Sequence, residues 1–274
     1  MLQQMFRNLK ERAPLIHNIT NYVTVNDVAN LLLASGSSPI MADDSMEVEE
    51  ITSLCSGLHL NIGTLNRRTV ESMFLAGKRA NELGHPVLLD PVGAGASKFR
   101  TETALRLRKE IKLAAIRGNI SEIKAMAFGS GTTRGVDADV ADAVTEENVE
   151  EAVRFVKGLA RTSGTVIAMT GAIDLVAEED RVFLIRNGDP MMPRITGSGC
   201  MLSALTTAYL AANPEERGWA VAAATVAMGL AGERAAEKTK AAKAGTGTFR
   251  SVLIDEIYNL DETTLVKDAK IEIR

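Results

Sequence analysis

The chain has 274 residues, with 31 Lys and Arg against 35 Asp and Glu, a formal net charge of −4. That length can bury a core without disulfides or a structural metal, and the mild acidity argues against a general nucleic-acid binder, whose footprint is a basic patch. Aromatic residues are only 4% of the chain against 46% apolar residues overall, so the core is expected to consist of small aliphatic side chains, as in helix-covered parallel sheets.

The opening residues, MLQQMFRNLKERAP, carry charge through their first turns and lack the apolar stretch of a secretory signal. No run of about 18 apolar residues occurs, which a membrane span would need. The nearest approach, 220–232 (AVAAATVAMGLAG), is Ala-rich and reads as a buried helix. Cys55 and Cys200 are too few for a disulfide framework, and no CxxC or Cys/His cluster suggests zinc. A cytoplasmic protein with no membrane or nucleic-acid partner is the expectation.

Helical periods cover 22–34, 67–83, 99–113 and 148–162. Short apolar strands are predicted at 38–42 (SPIMA), 58–63 (LHLNIG), 86–90 (PVLLD), 114–118 (AAIRG) and 165–170 (TVIAMT). Segments 174–178 and 181–185 read as a hairpin at the sheet edge. From residue 197 the pattern turns helical, over 199–212, 219–240 and 249–260, and the tail 267–274 alternates like a frayed strand. The alternation specifies an α/β fold, with a mostly parallel central sheet covered by helices on both faces. No linker, repeat or composition break divides the chain, so residues 1–274 are expected to form a single domain.

In such sheets ligands bind beyond the carboxyl ends of the strands, and the predicted strand ends carry a distinctive set of groups. Asp90 runs into a Gly-rich turn (PVGAGA), which suits a cation or water held against phosphate, or merely a turn with Asp90 as its cap. Arg117 can fork onto phosphate oxygens. Asn119 and Glu122 have the spacing of a capping box as well as the chemistry to hold Mg²⁺ through water. Thr170 with Gly171 suits a nucleotide contact or an ordinary turn. The sharpest segment is Gly197-Ser198-Gly199-Cys200 before an apolar helix. There the backbone N–H groups can form an anion hole, and the helix N-terminus is expected to lower the Cys200 pKa. The spacing is neither that of a P-loop nor that of a dinucleotide-binding GxGxxG directly after the first strand. His17 is a candidate base or a hydrogen-bonded turn residue, and Met41 a candidate contact to a small ring or a core residue.

In order, NITNYV (18–23), GSSPIMA (36–42), NIGTL (61–65), LDPVGAGA (89–96), AAIRGNISE (114–122), MTGAID (169–174) and TGSGC (196–200) closely resemble the hydroxyethylthiazole kinase family. The resemblance implies a ribokinase-like fold. It also implies phosphorylation of the primary hydroxyl of 4-methyl-5-(2-hydroxyethyl)thiazole with ATP and Mg²⁺ in thiamine metabolism, and a homotrimer with thiazole sites between subunits. Carried over by motif, Met41, Gly197, Asn21 and Val23 line the thiazole site, and Arg117 and Thr170 contact ATP. Asp90 and Glu122 serve Mg²⁺ and its waters, and the backbone of Gly197, Ser198, Gly199 and Cys200 forms the anion hole. Cys200 stands where the wider ribokinase-like superfamily places an aspartate base, and the stretch beginning at 123 resembles the family's variable loop. The rival readings are a hydroxymethylpyrimidine kinase of the same fold and a non-catalytic nucleotide-binding protein.

Overall fold

In the computed structural model, which describes residues 1–128 and 143–274, short apolar strands alternate with helices along most of the chain. The strands are β1 (Leu15–Ile19), β2 (Ser38–Met41), β3 (Gly57–Asn61), β4 (Val87–Asp90), β5 (Ala115–Asn119), β6 (Val166–Thr170), β7 (Asp174–Ala177), β8 (Val182–Ile185) and β9 (Ile271–Ile273). They lie side by side in the order β2-β1-β3-β4-β5-β6-β7-β8-β9. Neighbours from β2 to β6 are parallel, and the β7–β8 hairpin and β9 extend the sheet antiparallel. Parallel neighbours cannot be joined by tight turns, so each connection within the parallel part crosses a face of the sheet through a helix.

One face is covered by α3 (Val48–Leu54), α4 (Arg67–Leu83), α5 (Lys98–Glu110), α6 (Ile120–Phe128) and α7 (Val149–Ser163). The other is covered by α1 (Leu2–Arg12), α2 (Val25–Ser35), α8 (Ser198–Ala212), α9 (Arg217–Ala241) and α10 (Thr246–Asn259), with α11 (Glu262–Lys267) against α1 and α9. Strand residues alternate between the two cores: Leu88 joins the second layer, Val87 and Leu89 the first. That is the period-2 consequence of the pleat. On α7 the buried residues Val149, Ala152, Val153, Val156, Leu159 and Ala160 recur at helical spacing, giving one apolar stripe.

The predicted α/β layering is observed, and 220–232 is a buried part of α9. Among the described residues no helix is long and apolar enough to cross a membrane. Two N-terminal elements depart from the sequence reading, which places the first helix at 22–34. Leu2, Met5, Phe6 and Leu9 are buried on α1, so the charged opening segment is an amphipathic helix. The segment before residue 22 contains an interior strand, β1, although it carries His17 and Asn18. Their polar groups are satisfied internally. The His17 ring nitrogens lie 2.9 Å from Thr52 Oγ1 and 2.9 Å from the Ala42 carbonyl, and Asn18 Nδ2 donates to the Ile16 carbonyl. With both nitrogens engaged and no solvent exposure, His17 is a core residue and not a base. Of the stretch beginning at 123, residues 123–128 continue α6, and 129–140 lie outside the described residues.

Nearly every residue of α8 is buried, because the helix runs between the sheet and the outer helices. Its N-terminus is thereby held at the carboxyl ends of the central strands. α9 passes close to the chain after β8: a Cβ on Gly229 would lie 2.7 Å from the Asn187 carbonyl oxygen. Gly229→Ala is therefore expected to destabilise the protein by about 1–3 kcal/mol through overpacking. The shift of the urea unfolding midpoint at unchanged slope measures it.

Candidate functional site

Three strand ends and one helix start converge. β4 ends at Asp90, β5 carries Arg117 and ends at Asn119, β6 ends at Thr170, and α8 begins at Ser198. Gly197 precedes α8 with φ +90°, a left-handed conformation that favours glycine, and a Cβ there would lie 2.7 Å from Thr24 Cγ2. The Met201 N–H bonds the Gly197 carbonyl at 2.8 Å. The N–H groups of Ser198, Gly199 and Cys200 precede that first intrahelical bond and form the positive end of the helix.

Asp90 has no solvent exposure. Its Oδ2 accepts from Asn61 Nδ2 at 2.8 Å and from Ser203 Oγ at 2.9 Å. Its Oδ1 lies 3.8 Å from Arg117 Nη1 and has no hydrogen-bond donor among the described residues. Burial pushes the Asp90 carboxyl up to about 6, against the pull of the Arg117 charge. Arg117 Nη2 donates to Thr170 Oγ1 at 2.7 Å, and its guanidinium lies over Gly199, where any Cβ would collide with it. Arg117 is thus laid across the helix N-terminus, one end on Thr170 and the other facing Asp90.

Glu122 staples two turns. Its Oε2 accepts from the Asn119 N–H at 2.8 Å while Asn119 Oδ1 accepts from the Glu122 N–H at 2.9 Å, the reciprocal pair of a capping box. Its Oε1 accepts from the Gly93 N–H at 2.9 Å, in the turn after Asp90. Both carboxylate oxygens are engaged by backbone, so the capping reading of Asn119 and Glu122 holds.

Cys200 is buried in the first turn of α8, with Asn21 Nδ2 donating to its Sγ at 3.3 Å. Burial pushes its thiol above the ordinary value, and the nearby Asp90 charge pushes the same way. The Asn21 donor and the neighbouring polar groups of Thr24 and Asn61 offset only part of this. The lowered pKa expected from the helix N-terminus is not found: burial and the Asp90 charge, which both disfavour a thiolate, set the direction.

Next to Arg117 and Thr170 lies a cavity of about 530 Å³, lined also by Gly171, Asp174, Asn187, Gly188, Pro190, Met192, Ser198, Gly199, Thr225 and Met228. Its size and mixed lining suit a small organic molecule. Asp174, whose Oδ1 accepts from the Gly171 N–H at 2.9 Å, is pushed up to about 7 by burial.

The sequence model of the family described as "HK: Hydroxyethylthiazole kinase family" matches residues 6–263. A hydroxyethylthiazole kinase of Clostridium acetobutylicum is 54% identical over 272 residues, covering 99% of each chain. The chain belongs to the hydroxyethylthiazole kinase family. A solved hydroxyethylthiazole kinase protein from Pyrococcus horikoshii OT3 superposes with a TM-score of 0.88 at 38% identity, covering 100% of this chain and 98% of that one. A ribokinase-like superfamily protein from Enterococcus faecalis shares the fold at a TM-score of 0.61 and 9% identity, over 91% of this chain and 88% of its own. The ribokinase-like architecture expected from the motifs is present.

Of the predicted site residues, Asn21, Asp90, Arg117, Glu122, Thr170 and the 197–200 segment are gathered at one place. Met41 ends β2 beside Asn18 and is half-buried, while Val23 is 56% exposed. The 187–193 and 225–229 segments of the cavity wall were not singled out from the sequence. The turn-rich run NGDPMMP after the hairpin is the signal that marks the first, whereas Thr225 and Met228 are indistinguishable from core within an Ala-rich helix. The raised Cys200 pKa predicts that iodoacetamide alkylates Cys200 at pH 7.5 at least about tenfold more slowly than a free thiol, with reactivity regained on unfolding. Mass spectrometry of the Cys200 peptide reads the rate.

Proposed function

We propose that the protein phosphorylates the primary hydroxyl of 4-methyl-5-(2-hydroxyethyl)thiazole with ATP in thiamine biosynthesis or salvage. The observation that carries this reading is the meeting of Asp90, Arg117 and Cys200 at the N-terminus of α8 in a member of this family. On one side lies the cavity with Arg117 and Thr170, which takes the nucleotide. On the other lie Asn21, Val23, Met41 and Gly197, which take the thiazole alcohol.

The hydroxyl oxygen bonds to the γ-phosphorus of ATP as the bond from that phosphorus to the bridging oxygen breaks, ADP leaves in line with that electron pair, and the hydroxyl proton passes late to an oxygen of the transferred phosphoryl group. Such transition states are loose, so the protein acts chiefly by positioning and by stabilising charge. The N–H groups of Ser198, Gly199 and Cys200 receive the developing negative charge, and Gly199 leaves room for the Arg117 guanidinium beside it. Cys200, a protonated thiol in this setting, orients the alcohol and contributes little as a general base.

Mg²⁺ fits these residues as an ion carried in with the nucleotide. Asp90 Oδ1 is a buried carboxylate oxygen without a donor, suited to a cation's water. The Glu122 oxygens, already bonded to backbone N–H, suit a water-mediated contact rather than a direct one. Among the described residues no cluster of three or more His, Cys, Asp or Glu could hold a metal unaided. When bound, Mg²⁺ supplies charge neutralisation on the phosphates.

The chain is read as one kinase domain working in the cytoplasm as a homotrimer. Tyr22, Val23 and Met46 are 78%, 56% and 95% exposed. Tyr22 and Val23 follow Asn21 directly in the chain, where a neighbouring subunit would complete the thiazole pocket.

Incubation with Mg-ATP and hydroxyethylthiazole, hydroxymethylpyrimidine or no alcohol is expected to give phosphorylated product, by mass spectrometry, only with the thiazole. Product mainly with the pyrimidine would overturn the substrate, and ATP binding without product would overturn the enzyme reading. Cys200→Ala is expected to lower kcat by about 10²-fold or less, and Cys200→Asp to stay active. A loss above about 10⁴-fold for the alanine variant at unchanged stability would make Cys200 the principal base.

A further inference from the structure

Asn61, which closes β3 in the motif NIGTL, has no assigned role, yet it stands between Cys200 and Asp90. It is buried, and every polar atom of its side chain has a partner. Its Nδ2 donates to Asp90 Oδ2 at 2.8 Å. Its Oδ1 accepts from the Gly63 N–H at 2.9 Å and from Asn21 Nδ2 at 3.0 Å. The chemistry of these partners fixes which way the amide faces. A carboxylate demands a donor and a backbone N–H demands an acceptor, so the Asn61 amide cannot be flipped without losing both.

The orientation propagates. Asn21 spends one amide hydrogen on Asn61 Oδ1 and the other on Cys200 Sγ, at 3.3 Å. Its own Oδ1 accepts from the Thr24 N–H and the Thr24 hydroxyl, each at 3.1 Å. The result is a directed chain, Asp90–Asn61–Asn21–Cys200, in which sulfur receives a donor and Asp90 Oδ2 receives another. Ser203 holds the same Asp90 oxygen from α8, so Asp90 Oδ1 remains the one turned toward Arg117.

We propose that Asn61 is a positioning residue for phosphoryl transfer, locking the Cys200 thiol and the Asp90 carboxylate into one arrangement without touching substrate itself. This role rests on the kinase reading above. Its readout is kcat, because Cys200, held through Asn21, and Asp90 face the reacting end of the site. The KM for ATP is insulated, none of the Asn61 side-chain atoms lining the cavity beside Arg117 and Thr170, whereas the KM for the alcohol follows Asn21.

The test is steady-state kinetics with Mg-ATP and hydroxyethylthiazole. Asn61→Ala is expected to lower kcat by about 30- to 100-fold, with the KM for ATP within about threefold of the unsubstituted protein and any change in the KM for the alcohol smaller than the loss in kcat, the pattern of an interaction lost mainly in the transition state. In a Cys200→Ala background the same substitution is expected to cost less than a third of that factor, since one end of the chain is already gone. Asn61→Asp is the second variant should the alanine variant fail to fold. It preserves shape and the acceptor for Gly63 and Asn21 but sets a carboxylate oxygen against Asp90 Oδ2, and it is expected to lower kcat by at least 30-fold at unchanged KM. A folded Asn61 variant with kcat within about threefold of the unsubstituted protein overturns the role, as does a KM rise at constant kcat. A full loss in both backgrounds would limit Asn61 to Asp90 and overturn the link to Cys200. The unsubstituted protein separates the two levels: its inactivity overturns the functional reading and this role together, whereas an active protein insensitive at Asn61 overturns the role alone.

Discussion

A carboxylate with no exposed surface sits where the central sheet meets α8. Removing Asp90 from water is costly unless the charge is compensated, and the surroundings are arranged accordingly. Asn61 and Ser203 donate to one oxygen, and the Arg117 guanidinium faces the other. Arg117 is held in turn by Thr170 and laid over the glycine at the helix start. β3, β4, β5 and β6 each contribute one member to this group and α8 two, Gly199 and Ser203, so the parallel sheet and its buried helix fix the site by their own packing. The charge balance is local: the Asp90 carboxylate with Glu122 nearby, one guanidinium and the positive end of a helix. In the proposed reaction a phosphate entering there would meet a guanidinium and helix N–H groups already in place, the electrostatic preorganisation that phosphoryl transfer needs.

Much of this was legible in the residues. Strands ending in Asp90, Asn119 and Thr170 follow from apolar runs that stop at polar or glycine residues, and the start of α8 from TGSGC before an apolar stretch. What escaped has physical causes. β1 was hidden because His17 and Asn18 break the apolar pattern, and only tertiary partners make them tolerable in a core. α1 was hidden by its charge, although its apolar residues recur at helical spacing.

The Cys200 pKa illustrates a different limit. A helix N-terminus is a local feature and readable in sequence, whereas the degree of burial and the proximity of Asp90 come from distant segments. The second pair decides the sign. The cavity wall at Thr225 and Met228 escaped for the same reason: within an Ala-rich helix, facing a ligand and facing a core place the same demand on composition.

The Glu122 staple bears on how the strand-end turns behave mechanically. One carboxylate ties the turn after β4 to the beginning of α6, through the Gly93 N–H on one side and the Asn119 N–H on the other. Those two turns are separate in sequence but cannot shift independently while that clasp is closed. A displacement of the Gly93 turn carries the axis of α6 with it, and a rotation of α6 is felt at the backbone next to Asp90. The rim of the site on this side is therefore one rigid lip rather than two loops, and a ligand pressing on either part does work against both.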